Sequence, residues 1–189
     1  MYKIIALIGE AGSGKDYIMK QVLAAAPDRF NEIISCTTRP MREGEQEGVN
    51  YYYLTNEEFY QKRKNNEMLE TSCFNSWGYG TSINALSEDK LNIGVFNPDG
   101  IRSLLNNSNV EVIVYRVMCK DKTRLLRQLN RENNPNVDEI IRRFGTDKKD
   151  FSNLGFEYIK LPNELSLDVP LAIREILHQG EGPGDQGQN

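Results

Sequence analysis

The sequence has little of several features that identify common classes of protein. Its 189 residues include a single histidine, His178, so a mechanism built on a histidine base is not favoured. The three cysteines, Cys36, Cys73 and Cys119, are odd in number and widely spaced, which favours free thiols in a reducing compartment over a disulfide framework or a zinc site. No apolar run is long enough to act as a signal peptide or to span a bilayer. We therefore expect a cytoplasmic protein that does not associate with membranes.

A large excess of charge of one sign is also missing. Lys and Arg number 23 and Asp and Glu number 27, which gives a formal net charge of −4. This balance argues against a generally nucleic-acid-binding surface, although basic residues can still cluster locally. The length suits one domain with a core of ordinary size.

The order of apolar and polar segments predicts an α/β fold. Apolar runs alternate with segments of helical spacing, which is typical of a parallel β-sheet flanked by helices. The predicted strands of this sheet lie at 2–8, 33–34, 93–96, 110–118 and 156–161, and the helices at 15–26, 99–107, 121–131 and 137–150. A last helix is predicted with Pro170 in its first turn and its end at His178. Between them we predict a small mixed unit, with strands at 49–54, 68–74 and near Tyr79, helices at 56–65 and 82–90, and an irregular segment from 35 to 48. The Gly- and Gln-rich end, 180–189, is predicted to be disordered.

A glycine-rich turn, GEAGSGKD, connects the first strand to the first helix. This G-x-x-x-x-G-K pattern in a strand–turn–helix context predicts a phosphate-binding loop (P-loop). Its amides and the start of the helix would surround an anion, and the lysine would reach the outer phosphates. The residues that would bind ATP phosphates are Gly9, Ala11, Gly12, Ser13, Gly14, Lys15 and Asp16. Asp16 stands where a Ser or Thr normally ligates Mg²⁺.

A second group of residues follows the second predicted strand. Ser35, Arg39, Arg42 and Tyr51 lie within seventeen residues. Two arginines three positions apart, beside hydroxyl groups, can clamp one phosphate. On spacing alone, two solvated arginines and a core tyrosine are an equally good interpretation.

The stretch SCTTRPMREGEQEGVNYYYLTNEEF closely resembles the S-x-T-T-R-x-x-R-x-G-E-x-x-G-x-x-Y segment of guanylate kinases, and NNEMLETSCFNSWGYGTS is similar to their N-x-E-x-x-E and Y-G-T-S segments. The resemblance covers about residues 2–178 and is strongest up to Ser82. It implies a P-loop NTPase fold with a small mixed α/β region that binds a nucleoside monophosphate and a helical lid. The implied boundaries within a single domain, 1–179, are a core of 1–35, 91–126 and 146–179, a monophosphate-binding region of 36–90 and a lid of 127–145. The ending G-K-D is also similar to that of some bacteriophage deoxynucleoside monophosphate kinases, which suggests a divergent member.

The resemblance also implies roles for individual residues in binding GMP. Ser35, Arg39, Arg42, Tyr51 and Tyr79 match the positions that hold the phosphate, and Glu70 and Thr81 match those that read the base. A carboxylate suits guanine because N1–H and the N2 amino group lie along one edge, whereas adenine presents an acceptor at N1. Asn97 falls in the aligned acceptor-site segment. For Glu70, a solvated strand residue is the alternative interpretation.

Five arginines, Arg124, Arg127, Arg131, Arg142 and Arg143, flank a polar bend at 132–136. In nucleoside monophosphate kinases a mobile lid brings arginines over the donor phosphates, and phosphoryl transfer depends mainly on such positioning and charge neutralisation. Arg131 and Arg143 best match the lid arginines of the family. The predicted catalytic residues are Lys15, Arg39, Arg42, Arg131 and Arg143. A salt-bridged helix surface is the alternative for the lid arginines.

The chain departs from the family at the segment D-x-D-x-Q-G, where Val95 and Asn97 replace both acids. This loss should weaken Mg²⁺ binding unless Asp16 compensates as an oxygen ligand. The sequence thus predicts a Mg²⁺-dependent kinase, monomeric or homodimeric, that transfers phosphate from ATP to GMP or dGMP. Two alternatives remain: a kinase of another monophosphate, and a nucleotide-binding module with little or no catalysis.

Overall fold

The computed structural model describes residues 1–42, 44–74, 76–131, 133–165 and 168–179. The predicted disordered tail, 180–189, lies outside these residues. Within them, no helix combines the length and the apolar character needed to cross a membrane.

The strands form two sheets. In chain order they are β1 (Tyr2–Ile8), β2 (Phe30–Glu32), β3 (Cys36–Thr37), β4 (Tyr52–Tyr53), β5 (Met68–Phe74), β6 (Trp77–Ser82), β7 (Leu91–Val95), β8 (Val110–Met118) and β9 (Ile159–Pro162). Five of them pair in the order β2-β7-β1-β8-β9, with β8 and β9 parallel, and the others in the order β4-β3-β6-β5. The predicted parallel sheet flanked by helices and the predicted antiparallel pair, β5 with β6, are confirmed.

The described residues form six α-helices, and side-chain caps mark where three of these helices begin. The six are α1 (Lys15–Ala25), α2 (Asn56–Lys64), α3 (Pro98–Leu105), α4 (Asp121–Leu129), α5 (Val137–Asp150) and α6 (Asp168–His178). Thr55 forms a capping box with Glu58 at the start of α2. Asn97 and Asn136 accept hydrogen bonds from backbone amides in the first turns of α3 and α5. Each helix was predicted within a few residues of its observed bounds.

The chain divides into two compact units. The first contains 1–6 and the described residues of 31–113, and the second contains 7–30 and the described residues of 114–179. In the first unit, α3 and α2 pack against β5, and Phe59, Ile93, Ile101 and Leu104 are buried. In the second unit, α1 packs against α6 and α4 against α5, and the buried residues include Leu7, Ile18, Val22, Val117 and Ile176.

Three local predictions were wrong. The second strand lies at Phe30–Glu32 and not at Ile33 and Ile34, and the segment predicted to be irregular contains the short strand β3. Instead of a helix over 82–90, the structure has a single 3₁₀ turn, Ile83–Ala85. The Asn92 side chain explains this last difference, because it accepts from the Ser87 amide at 2.7 Å and donates to the Ser87 carbonyl at 2.9 Å. These bonds satisfy the Ser87 backbone without helical partners.

Candidate nucleotide-binding sites

The predicted phosphate-binding loop has the backbone that its glycines allow. Gly12 and Gly14 have φ of 79° and 94°, in the left-handed region that other residues avoid. A Cβ at Gly12 would lie 2.6 Å from the Arg124 carbonyl oxygen, and one at Gly14 would collide with the Asn163 amide. The helix α1 begins immediately after Gly14, so its unpaired N-terminal amides lie beside the loop. This geometry suits an anion.

Lys15 follows the turn and donates from Nζ to the Glu10 carbonyl at 3.3 Å. Burial lowers the pKa of Lys15, while the negative charges of Asp16, Asp147 and Glu10 oppose that shift. Ser13 is fully buried, and its Oγ has no hydrogen-bond partner within the described part of the chain. The loop therefore contains a cation and a polar group that a phosphate would satisfy.

Side chains distant in sequence hold the loop from its other side. Arg127 donates to the carbonyls of Gly12 at 3.4 Å and Ser13 at 3.2 Å, and Asn163 donates to Ser13 O at 2.7 Å. Arg124 and Asp147 both bind Ala11. Sequence reasoning placed Arg124 and Arg127 beside the lid and missed Asn163 and Asp147. No local pattern marks these contacts, because their partners are more than a hundred residues away.

Asp16 lies in the first turn of α1, and its side chain is exposed. The described residues contain no group of three or more His, Cys, Asp and Glu side chains placed to hold a metal ion. Mg²⁺ in nucleotide sites commonly takes one or two carboxylates together with substrate phosphates, so it needs no such group. An exposed carboxylate beside the predicted phosphate loop fits that kind of site.

In the first unit, Glu70 on β5 lies opposite Thr81 on β6. The Thr81 hydroxyl donates to Glu70 Oε1 at 2.9 Å, and both residues are buried, with Glu70 only 5% exposed. Its second oxygen, Oε2, has no hydrogen-bond partner among the described residues. Burial raises the pKa of Glu70 to about 7, although the Thr81 hydrogen bonds oppose the shift.

Two neighbouring features complete the surroundings of this carboxylate. A Cβ at Gly100 would lie 3.2 Å from Glu70 Oε2, so the first turn of α3 runs beside the unpartnered oxygen. Asn97 caps that turn by accepting from the Gly100 amide at 2.8 Å, and its Nδ2 donates to Ser72 Oγ at 2.9 Å. The predicted GMP-binding residue Asn97 therefore has an evident structural role.

Arg39 is buried and forms an ion pair, so it is not the solvated arginine that its spacing alone also allowed. Its guanidinium forms two hydrogen bonds with the Glu45 carboxylate, at 2.9 and 3.0 Å, and lies 5.5 Å from the Tyr51 ring centroid. Burial acts to raise the pKa of Glu45, but the bonds from Arg39, the Arg42 amide and Tyr53 outweigh it and lower the pKa to about 2. The Tyr79 ring contacts the Tyr51 ring edge-to-face at 6.0 Å. The structure thus brings together Arg39, Tyr51 and Tyr79.

The remaining predicted residues have simpler surroundings. Ser35 is half-buried, and its carbonyl accepts from the Tyr52 amide at 2.9 Å. Arg131 is exposed just after α4. On α5, Arg142 and Arg143 both pair with Glu139, at 2.7 and 2.8 Å, which lowers the pKa of Glu139 to about 2. Roles for Arg131 and Arg143 at the donor phosphates remain predictions.

Comparison with known proteins agrees with these features. The family described as guanylate kinase matches residues 1–176. The chain belongs to the guanylate kinase family. A guanylate kinase of Campylobacter jejuni is 25% identical over 92% of this chain and 87% of its own length. A second family member, from Sulfurimonas denitrificans, is 29% identical over 92% of this chain and 85% of its own length.

Similarity within the family is stronger over part of the chain. A guanylate kinase of Prochlorococcus marinus is 41% identical over 46% of each chain. The crystal structure of guanylate kinase from Anaplasma phagocytophilum covers 97% of this chain and 88% of its own, with a TM-score of 0.65 and 19% identity. That last likeness supports the fold alone, and it agrees with the predicted P-loop NTPase architecture.

Proposed function

We propose that this protein transfers the γ-phosphoryl group of ATP to GMP or dGMP, giving ADP and GDP or dGDP. The observation that carries the proposal is the buried Glu70 carboxylate, of which Oε2 has no partner among the described residues. A buried acceptor left unpaired costs about 1–3 kcal/mol, and a ligand that donates hydrogen bonds removes this cost. Guanine supplies two such donors, N1–H and the N2 amino group, whereas adenine presents an acceptor at N1.

The acceptor phosphate would lie on Ser35, Arg39, Arg42, Tyr51 and Tyr79. Arg39 is held by Glu45 and by the surrounding rings, so its guanidinium is oriented before a ligand arrives. An oxygen of the acceptor phosphate attacks the γ-phosphorus in line. The bond from that phosphorus to the bridging oxygen of ADP breaks, and ADP leaves with the electron pair.

The donor phosphates would lie on the loop from Gly9 to Asp16. Amides of the loop and Lys15 would neutralise the charge that develops on the transferred group, assisted by Arg131 and Arg143 of the proposed lid, 127–145. Asp16 would hold Mg²⁺, which supplies charge neutralisation at the phosphates when it is bound with ATP. The regions assigned from the sequence are part of this proposal: 36–90 for the acceptor, 127–145 for the lid, and 1–35, 91–126 and 146–179 for the core. A monomeric or homodimeric protein in the cytoplasm is also part of it.

The decisive experiment is a coupled ADP-release assay with ATP, Mg²⁺ and each of GMP, dGMP, AMP, CMP and dTMP. We expect turnover only with GMP and dGMP. Glu70→Gln should lower kcat/KM for GMP about 10²-fold or more, because one carboxylate acceptor becomes an amide donor. Turnover with another base would contradict the roles of Glu70 and Thr81.

Replacing Asp16 tests the proposed Mg²⁺ ligand. Asp16→Ala should raise the Mg²⁺ concentration needed for half-maximal turnover, and should weaken binding of ATP with Mg²⁺ more than binding of ATP alone in titration calorimetry. Lys20→Ala, an exposed position on the same helix, is the control. An unchanged Mg²⁺ dependence in Asp16→Ala would contradict the assignment.

The second candidate function is nucleotide binding with little catalysis. Asn97 stands in place of a family acid, and both ends of its amide are used within the fold. Measurable binding of ATP and GMP without turnover in the same assay would favour this candidate.

A further inference from the structure

A closed ring of hydrogen bonds surrounds Ala11 in the phosphate-binding loop. Asp147 Oδ2 accepts from the Ala11 amide at 2.8 Å. Arg124 Nε donates to the Ala11 carbonyl at 3.0 Å. Arg124 Nη2 donates to the same Asp147 oxygen at 2.6 Å, which closes the ring. Both backbone polar groups of Ala11 are therefore held by one ion pair.

The pair is buried, and stability alone does not explain its position. Arg124 and Asp147 are 2% and 7% exposed, and the Arg124 guanidinium lies 4.5 Å from the Phe144 ring centroid. Replacing a buried ion pair with apolar residues of similar volume is often neutral or stabilising, because desolvation offsets the attraction. The contacts of this pair with Ala11 point to a second contribution, which is restraint of the loop backbone.

The ring restrains the part of the loop that sets the direction of the following amides. The Ala11 amide and carbonyl belong to successive peptide groups, so the two bonds fix the backbone on both sides of Ala11. Gly12 comes next and has a left-handed φ of 79°. Because glycine has wide conformational freedom, its own geometry does not hold it in this conformation. Without the ring, Ala11 would keep only the 3.4 Å contact from Gln128 to its carbonyl, so its peptide groups could rotate away from an anion. Arg127 and Asn163 would still hold the carbonyls of Gly12 and Ser13.

We propose that Arg124 and Asp147 are positioning residues that hold the phosphate-binding loop ready for ATP and connect its shape to helix α5. Asp147 lies on α5, which also carries Arg142 and Arg143, and Arg124 lies on α4. A change in α5 would therefore be transmitted to the loop through one carboxylate. The inference rests on the proposed function for the identity of the ligand, ATP.

The test separates ATP binding from GMP binding. Asp147→Ala should raise KM for ATP about tenfold while KM for GMP changes less than about twofold. Asp147→Asn should have a smaller effect, because its amide oxygen can still accept from Ala11 while its amide nitrogen faces Arg124. Lys149→Ala is the matched control, because it removes an exposed lysine side chain on the same helix.

A double variant separates positioning from stability. In Arg124→Met/Asp147→Leu the buried charges are gone, so we expect a Tm near that of the wild type together with a raised KM for ATP. If the double variant recovers both Tm and KM for ATP, or if neither Asp147 variant changes KM for ATP, the proposal is wrong. The double variant and Asp147→Asn carry the test if Asp147→Ala does not fold.

Failure of the proposed function gives a different result. If the wild type does not turn over GMP or dGMP, the same variants are compared by calorimetric titration with ATP and Mg²⁺. An about tenfold weaker Kd in Asp147→Ala supports the positioning role even then, and an unchanged Kd overturns it.

Discussion

At the scale of single residues, the protonation of Glu70 should control the affinity for GMP. Its pKa is raised to about 7 by burial. A protonated carboxyl would place its O–H against the N–H groups of guanine. Only the ionised carboxylate can accept hydrogen bonds from both N1–H and the N2 amino group. We predict that kcat/KM for GMP, measured at saturating ATP, rises with pH through about 7 and then levels off.

The matched variant for this measurement is Glu70→Gln, which has no titrating group at this position. Its lower kcat/KM should be nearly independent of pH over the same range. A wild-type profile that is also flat between pH 6 and 8 would contradict the raised pKa or the role of Glu70.

The same group should make the stability of the unliganded protein depend on pH. In the unfolded chain Glu70 loses its proton near its ordinary pKa of 4.5, but in the folded protein it keeps the proton up to about 7. Between these values the unfolded chain binds fewer protons, so the free energy of unfolding falls as pH rises, by roughly 3 kcal/mol in total. Urea titrations at pH 4.5 and 7.5 would give the change in the free energy of unfolding for the wild type and for Glu70→Gln. Between these pH values the wild type should lose roughly 3 kcal/mol more than Glu70→Gln. An equal loss in both proteins would contradict the prediction.

Site residues could be proposed from the sequence where a role depends on a local pattern. Spacing predicted the turn from Gly9 to Lys15, and the family motif indicated Glu70 and Thr81 as base-reading residues, but their positions opposite each other on β5 and β6 are a finding of the structure. The ring around Ala11 could not be predicted, because Arg124 and Asp147 are more than a hundred residues from it in sequence. An arginine or aspartate on a helix surface and one buried against a loop look the same in a sequence.

At the scale of elements, the capping box of helix α2 can be tested directly. The Thr55 hydroxyl accepts from the Glu58 amide at 3.2 Å, and the Glu58 carboxylate accepts from the Thr55 amide at 2.7 Å. We predict that Thr55→Ala lowers the free energy of unfolding by about 1 kcal/mol, since a first-turn amide loses its partner.

Thermal and urea unfolding would measure this loss, with Ser108→Ala at an exposed turn as the control. Phe59 of α2 is buried against Gly78 of β6, but the capping residues themselves are exposed. KM for GMP should therefore change little in Thr55→Ala. A loss of GMP binding with unchanged stability would mean that the cap acts on the acceptor site directly.

Element boundaries were predictable where a cap and the periodicity agree, as they do for α2, and where an apolar run is long, as in β8. The segment 82–90 was mistaken for a helix because its structure depends on Asn92. That side chain also accepts from Asn31 Nδ2 at 2.8 Å and donates to the Lys3 carbonyl at 3.2 Å. Such a network joins three distant parts of the chain, and it overrides a weak local preference for helix.

At the scale of the whole molecule, each compact unit contains the predicted residues for one nucleotide. Glu70, Thr81 and Arg39 belong to the first unit, and the loop from Gly9 to Asp16 belongs to the second. The chain passes from one unit to the other three times, within β1, within β2 and within β8. Binding of either ligand should therefore stabilise a different part of the same chain.

We predict that hydrogen exchange will separate the two ligands. GMP alone should slow amide exchange in β5 and β6, and ATP with Mg²⁺ should slow it from Gly9 to Asp16 and in the first turn of α1, because a bound ligand reduces local opening. Asp147→Ala should weaken the second pattern and leave the first unchanged. Protection of the same segments by both ligands would contradict the assignment, because phosphoryl transfer requires two nucleotides bound at once, each on its own set of residues.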